Sequence, residues 1–146
     1  MVLKLQASQV SALWDAIKLS AFRANKIPEN YEETYAAKLL EAILSGRYEV
    51  WVLCYKEGEG TQIAGVGISA IVVDNLMGYT YLNMHSLYAF RPISDELKLE
   101  AWEALKVYAK VNDCDRMQTV TGHHRIKALT EMVGMRELHT TYVYDL

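Results

Sequence analysis

Few side chains in this sequence are of types that commonly carry chemistry, and His85 is the main one. It lies in a segment with the character of a strand, where a histidine can act as a general base because its unperturbed pKa is near neutrality. The alternative is a buried histidine that only hydrogen-bonds to a neighbour. His123 and His124 are adjacent in a helical segment, so their side chains point about 100° apart and need a third ligand to chelate a metal. We therefore expect no metal site, and His85 is the candidate catalytic residue.

The composition argues against several classes of function. A net charge of −3 argues against nucleic acid as a partner. No stretch approaches the ~20 apolar residues of a transmembrane helix. The N-terminal sequence MVLKLQASQV has no basic region followed by an apolar run, so we expect no signal peptide and no secretion. Cys54 and Cys114 are too few for a disulfide scaffold, and we expect both to be reduced thiols.

The hydrophobic pattern predicts a single α/β domain over residues 1–146, with elements in the order β-α-α-β-β-β-α-β-α-β. Strands are predicted at 2–5, 48–55, 63–73, 79–90, 117–121 and 136–144. Helices are predicted after an N-cap at Ser8, from Asn30 to Gly46, from Ser94 to a break at 113–115, and over 123–133. Short turns imply an antiparallel meander for the second to fourth strands, and a helical crossover makes the fifth parallel to the fourth. Gly65 and Gly67 inside a strand indicate a bulge or a close backbone approach.

The start of the third helix lies in the sequence Arg91-Pro92-Ile93-Ser94-Asp95-Glu96. Ser94 is suited to cap the helix. The two carboxylates that follow lie in its first turn, where each stabilises the helix by about 0.3–1 kcal/mol through its interaction with the helix dipole. No glycine occurs between Gly78 and Gly122. The sequence therefore predicts a helix that begins within two residues of Ser94.

Three phrases, together with the order of elements, resemble the Gcn5-related N-acetyltransferase (GNAT) superfamily. They are HSLYAF before the central helix, CDRMQTVTG after it, and KALTEMVGMRELHTTYVYDL at the C-terminus. More narrowly, the chain is similar to GNAT-like proteins encoded by tailed bacteriophages, several of which are virion or assembly components. The resemblance implies a GNAT-like fold with a mixed, mostly antiparallel sheet flanked by helices.

The resemblance also implies where acetyl-CoA would bind. In the family, the pantetheine arm lies on the exposed backbone of the third meander strand, and the pyrophosphate binds at the N-terminus of the central helix. The positions of this chain that correspond are Leu87, Tyr88, Ala89, Arg91 and Ser94.

The chain departs from the family pattern in the pyrophosphate loop, which has the form Q/R-x-x-G-x-G/A. Arg91 stands at its first position, but Ser94 and Glu96 stand at its glycine positions. Side chains would then fill the space that phosphate needs, and Asp95 and Glu96 would repel it. Thr130 stands at the position on the last helix where the family often has a tyrosine that acts as the general acid.

Tyr142 or Tyr144 would have to substitute for that tyrosine, unless both are packing residues. Tyr31, Tyr35 and Tyr48 are candidates for a contact surface or, equally, for packing.

These departures favour a GNAT-like protein with a degenerate acetyl-CoA site, which binds no cofactor and catalyses no reaction. We expect it to act through a protein partner or as a homo-oligomer, as a phage virion or assembly component in the host cytoplasm or the virion. The alternative is an acetyl-CoA-dependent N-acetyltransferase with an unusual cofactor loop.

Overall fold

A single five-stranded sheet organises the computed structural model, which describes residues 1–146. Its strands, in spatial order as well as chain order, are β1 (Val2–Lys4), β2 (Glu49–Glu57), β3 (Gly60–Asp74), β4 (Tyr79–Ala89) and β5 (Arg116–Thr119). Pairing is antiparallel from β1 to β4 and parallel between β4 and β5. This confirms the predicted mixed, mostly antiparallel sheet.

Four α-helices flank the sheet: α1 (Ala7–Asn25), α2 (Glu32–Leu44), α3 (Asp95–Val111) and α4 (His124–Met132). A 3₁₀ turn over Glu29–Tyr31 precedes α2. No helix is both long enough and apolar enough to cross a membrane.

The sheet has a hydrophobic core on each face, because alternate side chains of a strand point to opposite sides. On one face, Ile17 of α1 and Ile43 of α2 pack with Ile68 of β3 in a cluster of 11 buried residues. On the other face, Leu105 of α3 packs with Leu82 of β4 in a smaller cluster of 5. The helices α1 and α2 therefore cover one face, and α3 covers the other.

Two predicted helix starts differ from the structure. Ser8 is not the cap of α1, because the helix begins one residue earlier and the Gln6 amide donates to Gln9 Oε1 at 2.8 Å. Asn30 does not cap α2, because it lies within the 3₁₀ turn, whose Tyr31 amide donates to the Pro28 carbonyl at 2.8 Å.

The predicted final strand at 136–144 is wrong. No strand follows α4, and Tyr142 and Tyr144 are 91% and 87% exposed. A β-branched and aromatic sequence forms a strand only where a neighbour pairs with it and one of its faces is buried, and here neither condition is met. The element order is therefore one strand shorter than predicted.

The last helix is also more exposed than predicted. None of its residues is fully buried, and Met132, which we expected to face inward, is 41% exposed.

Candidate functional site

An extra residue in β4 interrupts the regular pairing of this strand with β3. Ile68 of β3 lies opposite Ser86, and the next residue, Ser69, lies opposite Met84, so His85 is inserted between the two pairs. Such a bulge bends the strand, increases its twist and re-aims a side chain. His85 faces the side of the sheet that α1 and α2 cover, where it contacts Tyr35, and the inserted residue brings Leu87 to the α3 face.

The sheet opens between β4 and β5 at this bulge. The pairing of β5 with β4 ends at Thr119 opposite Met84, whereas β4 continues against β3 as far as Ala89. Beyond Met84, the edge of β4 that β5 would occupy therefore has no strand beside it.

The peptide groups at this opening can be assigned from the β3 side of β4. The Phe90 amide donates to the Ala64 carbonyl at 2.8 Å, so it faces β3. The Tyr88 carbonyl also faces β3, lying 3.0 Å from the position a Cβ would take on Gly65. Because the N–H and C=O groups of successive residues in a strand point to alternate edges, those of Leu87 and Ala89 face the opening. Two of the predicted cofactor positions thus present free backbone groups there.

His85 lies in the wall of a cavity between α2 and β4, with a volume of about 410 Å³, which we call the α2–β4 pocket. The pocket is lined by Tyr35, Lys38, Leu39, Glu41, Ala42, Arg47, Tyr48 and His85. His85 Nε2 is 2.6 Å from Tyr35 Oη, and the Tyr48 ring packs edge-on against the imidazole with centroids 5.4 Å apart. Two tyrosines that the sequence offered as surface or packing residues therefore line a pocket around the candidate base.

Burial determines the protonation of this pair. Burial lowers the pKa of His85, which favours the neutral imidazole. Burial, and then the neighbouring Tyr48, raise the pKa of Tyr35 to about 12, although a hydrogen bond from Asn25 opposes this. Near pH 7 the pair consists of a neutral imidazole and a neutral phenol, joined by one hydrogen bond.

The charged side chains of the α2–β4 pocket are Lys38, Glu41 and Arg47. Arg47 pairs with Glu41 at 3.2 Å, whereas Lys38 has no carboxylate within 4.0 Å. One cationic side chain of the pocket is therefore left without a partner.

The start of α3 agrees with the sequence prediction. Ser94 is the N-cap, its Oγ accepts from the Leu97 amide at 3.2 Å, and Asp95 and Glu96 occupy the first turn. The first amides of a helix have no intrahelical partner, so those of Asp95 and Glu96 remain free. Asp95 is paired with Lys98 at 2.8 Å.

The loop before α3 is held against the β2–β3 hairpin, on the side of β4 opposite β5. The Arg91 guanidinium binds Gln62 and lies 3.9 Å from the Glu57 carboxylate. The Ser94 amide donates to Tyr55 Oη at 2.7 Å. The Arg91 side chain and the Ser94 amide are thus both bound to the β2–β3 hairpin.

The remaining predicted positions lie outside the site. The Tyr88 side chain accepts a hydrogen bond from Arg23 of α1 at 2.8 Å and therefore points toward α1. Thr130 Oγ1 donates to the Lys127 carbonyl within α4. His123 caps α4, accepting from the Arg125 amide at 3.2 Å.

Sequence reasoning missed Tyr35 as the partner of His85. The two residues are 50 positions apart and meet only because α2 packs near the bulge. The bulge itself left a signal, since the apolar positions Leu82, Met84 and Leu87, which pack on the α3 face, break the period of two with one step of three.

Comparison with known proteins identifies the fold. No family model matches the sequence, and no curated protein does. Among solved structures, a predicted acetyltransferase with acetyl-CoA from Clostridium acetobutylicum superposes with a TM-score of 0.73 at 12% identity, covering 99% of this chain and 95% of that one. A ribosomal-protein-alanine N-acetyltransferase from Brucella melitensis gives 0.67 at 14% identity, covering 100% and 99%. A GNAT family acetyltransferase from Staphylococcus aureus gives 0.62 at 14% identity, covering 100% and 98%.

The chain therefore has the fold of the GNAT acetyltransferases, as its sequence predicted. At these identities the likeness establishes the architecture, and the function has to be argued from the site.

Proposed function

We propose that the protein is an acetyl-CoA-dependent N-acetyltransferase that acylates an amine bound in the α2–β4 pocket. The observation that carries the proposal is the 2.6 Å hydrogen bond between His85 Nε2 and Tyr35 Oη in the wall of that pocket. A titratable pair with shifted pKa values at a bulge, in the wall of a pocket, supports a catalytic role, because such groups cluster at functional sites.

The residues present fit an acyl-CoA at the opening between β4 and β5. The free peptide groups of Leu87 and Ala89 would bind the amides of its pantetheine arm, and the free amides of Asp95 and Glu96 would meet its pyrophosphate. When bound, acetyl-CoA supplies a thioester that is already activated for attack by an amine. The protein then has to position the amine and remove its proton.

His85 is suited to receive that proton. Its lowered pKa keeps the imidazole neutral near pH 7, so the ring can take up a proton as the amine forms its new bond. The α2–β4 pocket also favours some amines over others, because Lys38 would repel a polycationic acceptor and attract one that carries a carboxylate.

The second candidate is the function that the sequence favoured, a non-catalytic GNAT-like protein that acts through protein contacts. Two observations favour it: the two carboxylates in the first turn of α3, and the exposed Tyr142, Val143 and Tyr144, which offer an aromatic surface near the C-terminus.

Thermal unfolding with acetyl-CoA separates the two candidates. A ligand supplied at about a hundredfold excess over its Kd stabilises the folded state by about 2.7 kcal/mol. For a domain of this size that corresponds to a rise in Tm of at least ~5 °C. We expect such a rise at about 1 mM acetyl-CoA if Kd is near 10 μM.

Matched variants test the electrostatic part of the argument. Glu96→Gln removes an unpaired carboxylate near the free amides and should tighten binding roughly 2–5-fold, since unit charges a few ångströms apart in water interact by about 1 kcal/mol. Asp95→Asn should act in the same direction, because it removes the neighbouring carboxylate of the same turn and frees the Lys98 ammonium.

Turnover is then measured with a panel of anionic, neutral and cationic amines, using the unmodified protein and His85→Gln. We expect turnover that the substitution reduces. A protein that shows neither a rise in Tm with acetyl-CoA nor turnover of any amine is the non-catalytic protein of the second candidate.

A further inference from the structure

A chain of three side chains, one each from α1, α2 and β4, ends at the candidate base. Asn25 Nδ2 lies 3.0 Å from the Ala21 carbonyl oxygen and 3.5 Å from Tyr35 Oη, and Tyr35 Oη lies 2.6 Å from His85 Nε2. The direction of each hydrogen bond in this chain can be worked out from which atoms are able to donate.

The first member fixes the direction of the second bond, which in turn favours one direction for the third. A carbonyl oxygen only accepts, so the Asn25 atom facing Ala21 is the amide nitrogen, and the same nitrogen can only donate to Tyr35 Oη. Since Tyr35 Oη accepts from Asn25, its own proton is free to be donated to His85 Nε2. A neutral imidazole that accepts at Nε2 carries its ring proton on Nδ1.

This tautomer limits what His85 can do directly. A neutral imidazole has one lone pair, and here it is held by the Tyr35 hydroxyl. The group of this pair that remains able to accept a hydrogen bond from a bound amine is the phenol oxygen of Tyr35, a residue that lines the α2–β4 pocket.

We infer that Tyr35 is a catalytic residue of the proposed reaction, through which the proton of the acceptor amine passes to His85. This inference rests on the proposed function. As the amine nitrogen forms its bond to the acetyl carbon, the bond between that carbon and the thioester sulfur breaks and its electron pair leaves with the sulfur. The amine proton moves to Tyr35 Oη while the Tyr35 proton moves to His85 Nε2. The imidazolium then returns one proton to the thiolate or to solvent.

The two proton movements occur together. Burial raises the pKa of Tyr35 to about 12, so a free phenolate is disfavoured and the hydroxyl gives up its proton only as it receives another. The other charged and titratable groups that line the α2–β4 pocket are Lys38, Glu41, Arg47 and Tyr48, and none of them is hydrogen-bonded to His85.

The hydrogen-bond direction is tested without any turnover, by nitrogen NMR of the protein labelled in histidine. We expect His85 to carry its proton on Nδ1 in the unmodified protein and to lose this preference in Tyr35→Phe, which keeps the ring and removes the hydroxyl. A proton on Nε2 in the unmodified protein overturns the inference.

The catalytic role is tested by kinetics of four proteins: unmodified, Tyr35→Phe, His85→Gln and the double variant. We expect either single change to lower kcat by about 10²–10⁴-fold, the usual contribution of general base catalysis, and the double variant to be no slower than the single ones. Tyr108→Phe is the matched control, because it removes a half-buried hydroxyl bound to Glu49 on the α3 face and should leave kcat unchanged.

The outcomes separate this inference from the proposed function. Turnover that His85→Gln abolishes and Tyr35→Phe preserves overturns the relay and leaves the acetyltransferase standing. An unmodified protein without turnover overturns both, even where the NMR spectrum shows the Nδ1 proton.

Discussion

Replacing Gly65 by alanine should destabilise the protein through a specific steric conflict. A Cβ on this residue of β3 would lie 3.0 Å from the Tyr88 carbonyl oxygen of β4 and 3.0 Å from Cδ1 of Ile93. The Ile93 methyl group can move aside, but the carbonyl belongs to the backbone of the neighbouring strand. The two strands would have to separate locally to make room.

The magnitude follows from two opposing terms. Overpacking a well-filled site costs typically about 1–3 kcal/mol. Against this, alanine is better than glycine in the interior of a strand by roughly 0.5–1 kcal/mol. Gly122→Ala provides the control, because a Cβ there meets no atom within 4 Å and its φ is not positive. The difference between the two variants isolates the overpacking term, about 1–3 kcal/mol, or roughly 2–12 °C in Tm for a domain of this length.

Thermal unfolding followed by circular dichroism measures this difference directly. We expect Gly65→Ala to melt clearly below Gly122→Ala, and Gly67→Ala to fall between them, since its Cβ would meet the flexible Leu87 side chain at 3.2 Å. Equal Tm values for the Gly65 and Gly122 variants would refute the close approach of β3 and β4 on which the geometry of the opening depends.

Three further predictions concern stability. The pKa of His85 is lowered in the folded protein, so its contribution to the free energy of unfolding is present above the unfolded pKa of about 6.5. That contribution is lost as pH falls through the folded pKa. Urea midpoints should therefore fall less on acidification in His85→Gln than in the unmodified protein. Leu82→Ala should cost about 2–5 kcal/mol in urea unfolding because Leu82 is fully buried, whereas Leu76→Ala, at a residue 99% exposed, should change stability by less than about 0.5 kcal/mol. Ser94→Ala should cost about 0.5–2 kcal/mol through loss of the cap on α3, and an unchanged midpoint would show that the Leu97 amide needs no partner.

The parts of the fold that the sequence predicted are those with local causes. The start of α3 follows from the side chain of Ser94, and the end of α2 follows from Gly46, whose φ of +76° suits glycine. The meander follows from short turns such as Gly58-Glu59, which joins β2 and β3. Each of these signals lies within a few residues of the structure it determines.

The parts that could not be predicted depend on distant partners. A strand at 136–144 has the right composition, but a strand forms only where another edge pairs with it. The pairing of Tyr35 with His85 depends on how α2 is placed on the sheet, which the hydrophobic pattern of α2 does not specify. The bulge at His85 had a local signal, since Met84 and Leu87 are three residues apart rather than two. That spacing could be interpreted only once the register of β4 was known.

The missing glycine of the α3 loop has a physical counterpart elsewhere in the structure. A glycine in such a loop serves phosphate because no side chain stands between the ligand and the backbone amides. In this protein the Ile93 side chain is turned toward β3, and its Cδ1 lies 3.0 Å from the point where Gly65 lacks a Cβ. Arg91 is likewise held against the β2–β3 hairpin by Gln62 and Glu57. Gly65 therefore makes room for the Ile93 side chain beside β3, and the groups of the first turn of α3 that oppose an anion are the carboxylates of Asp95 and Glu96.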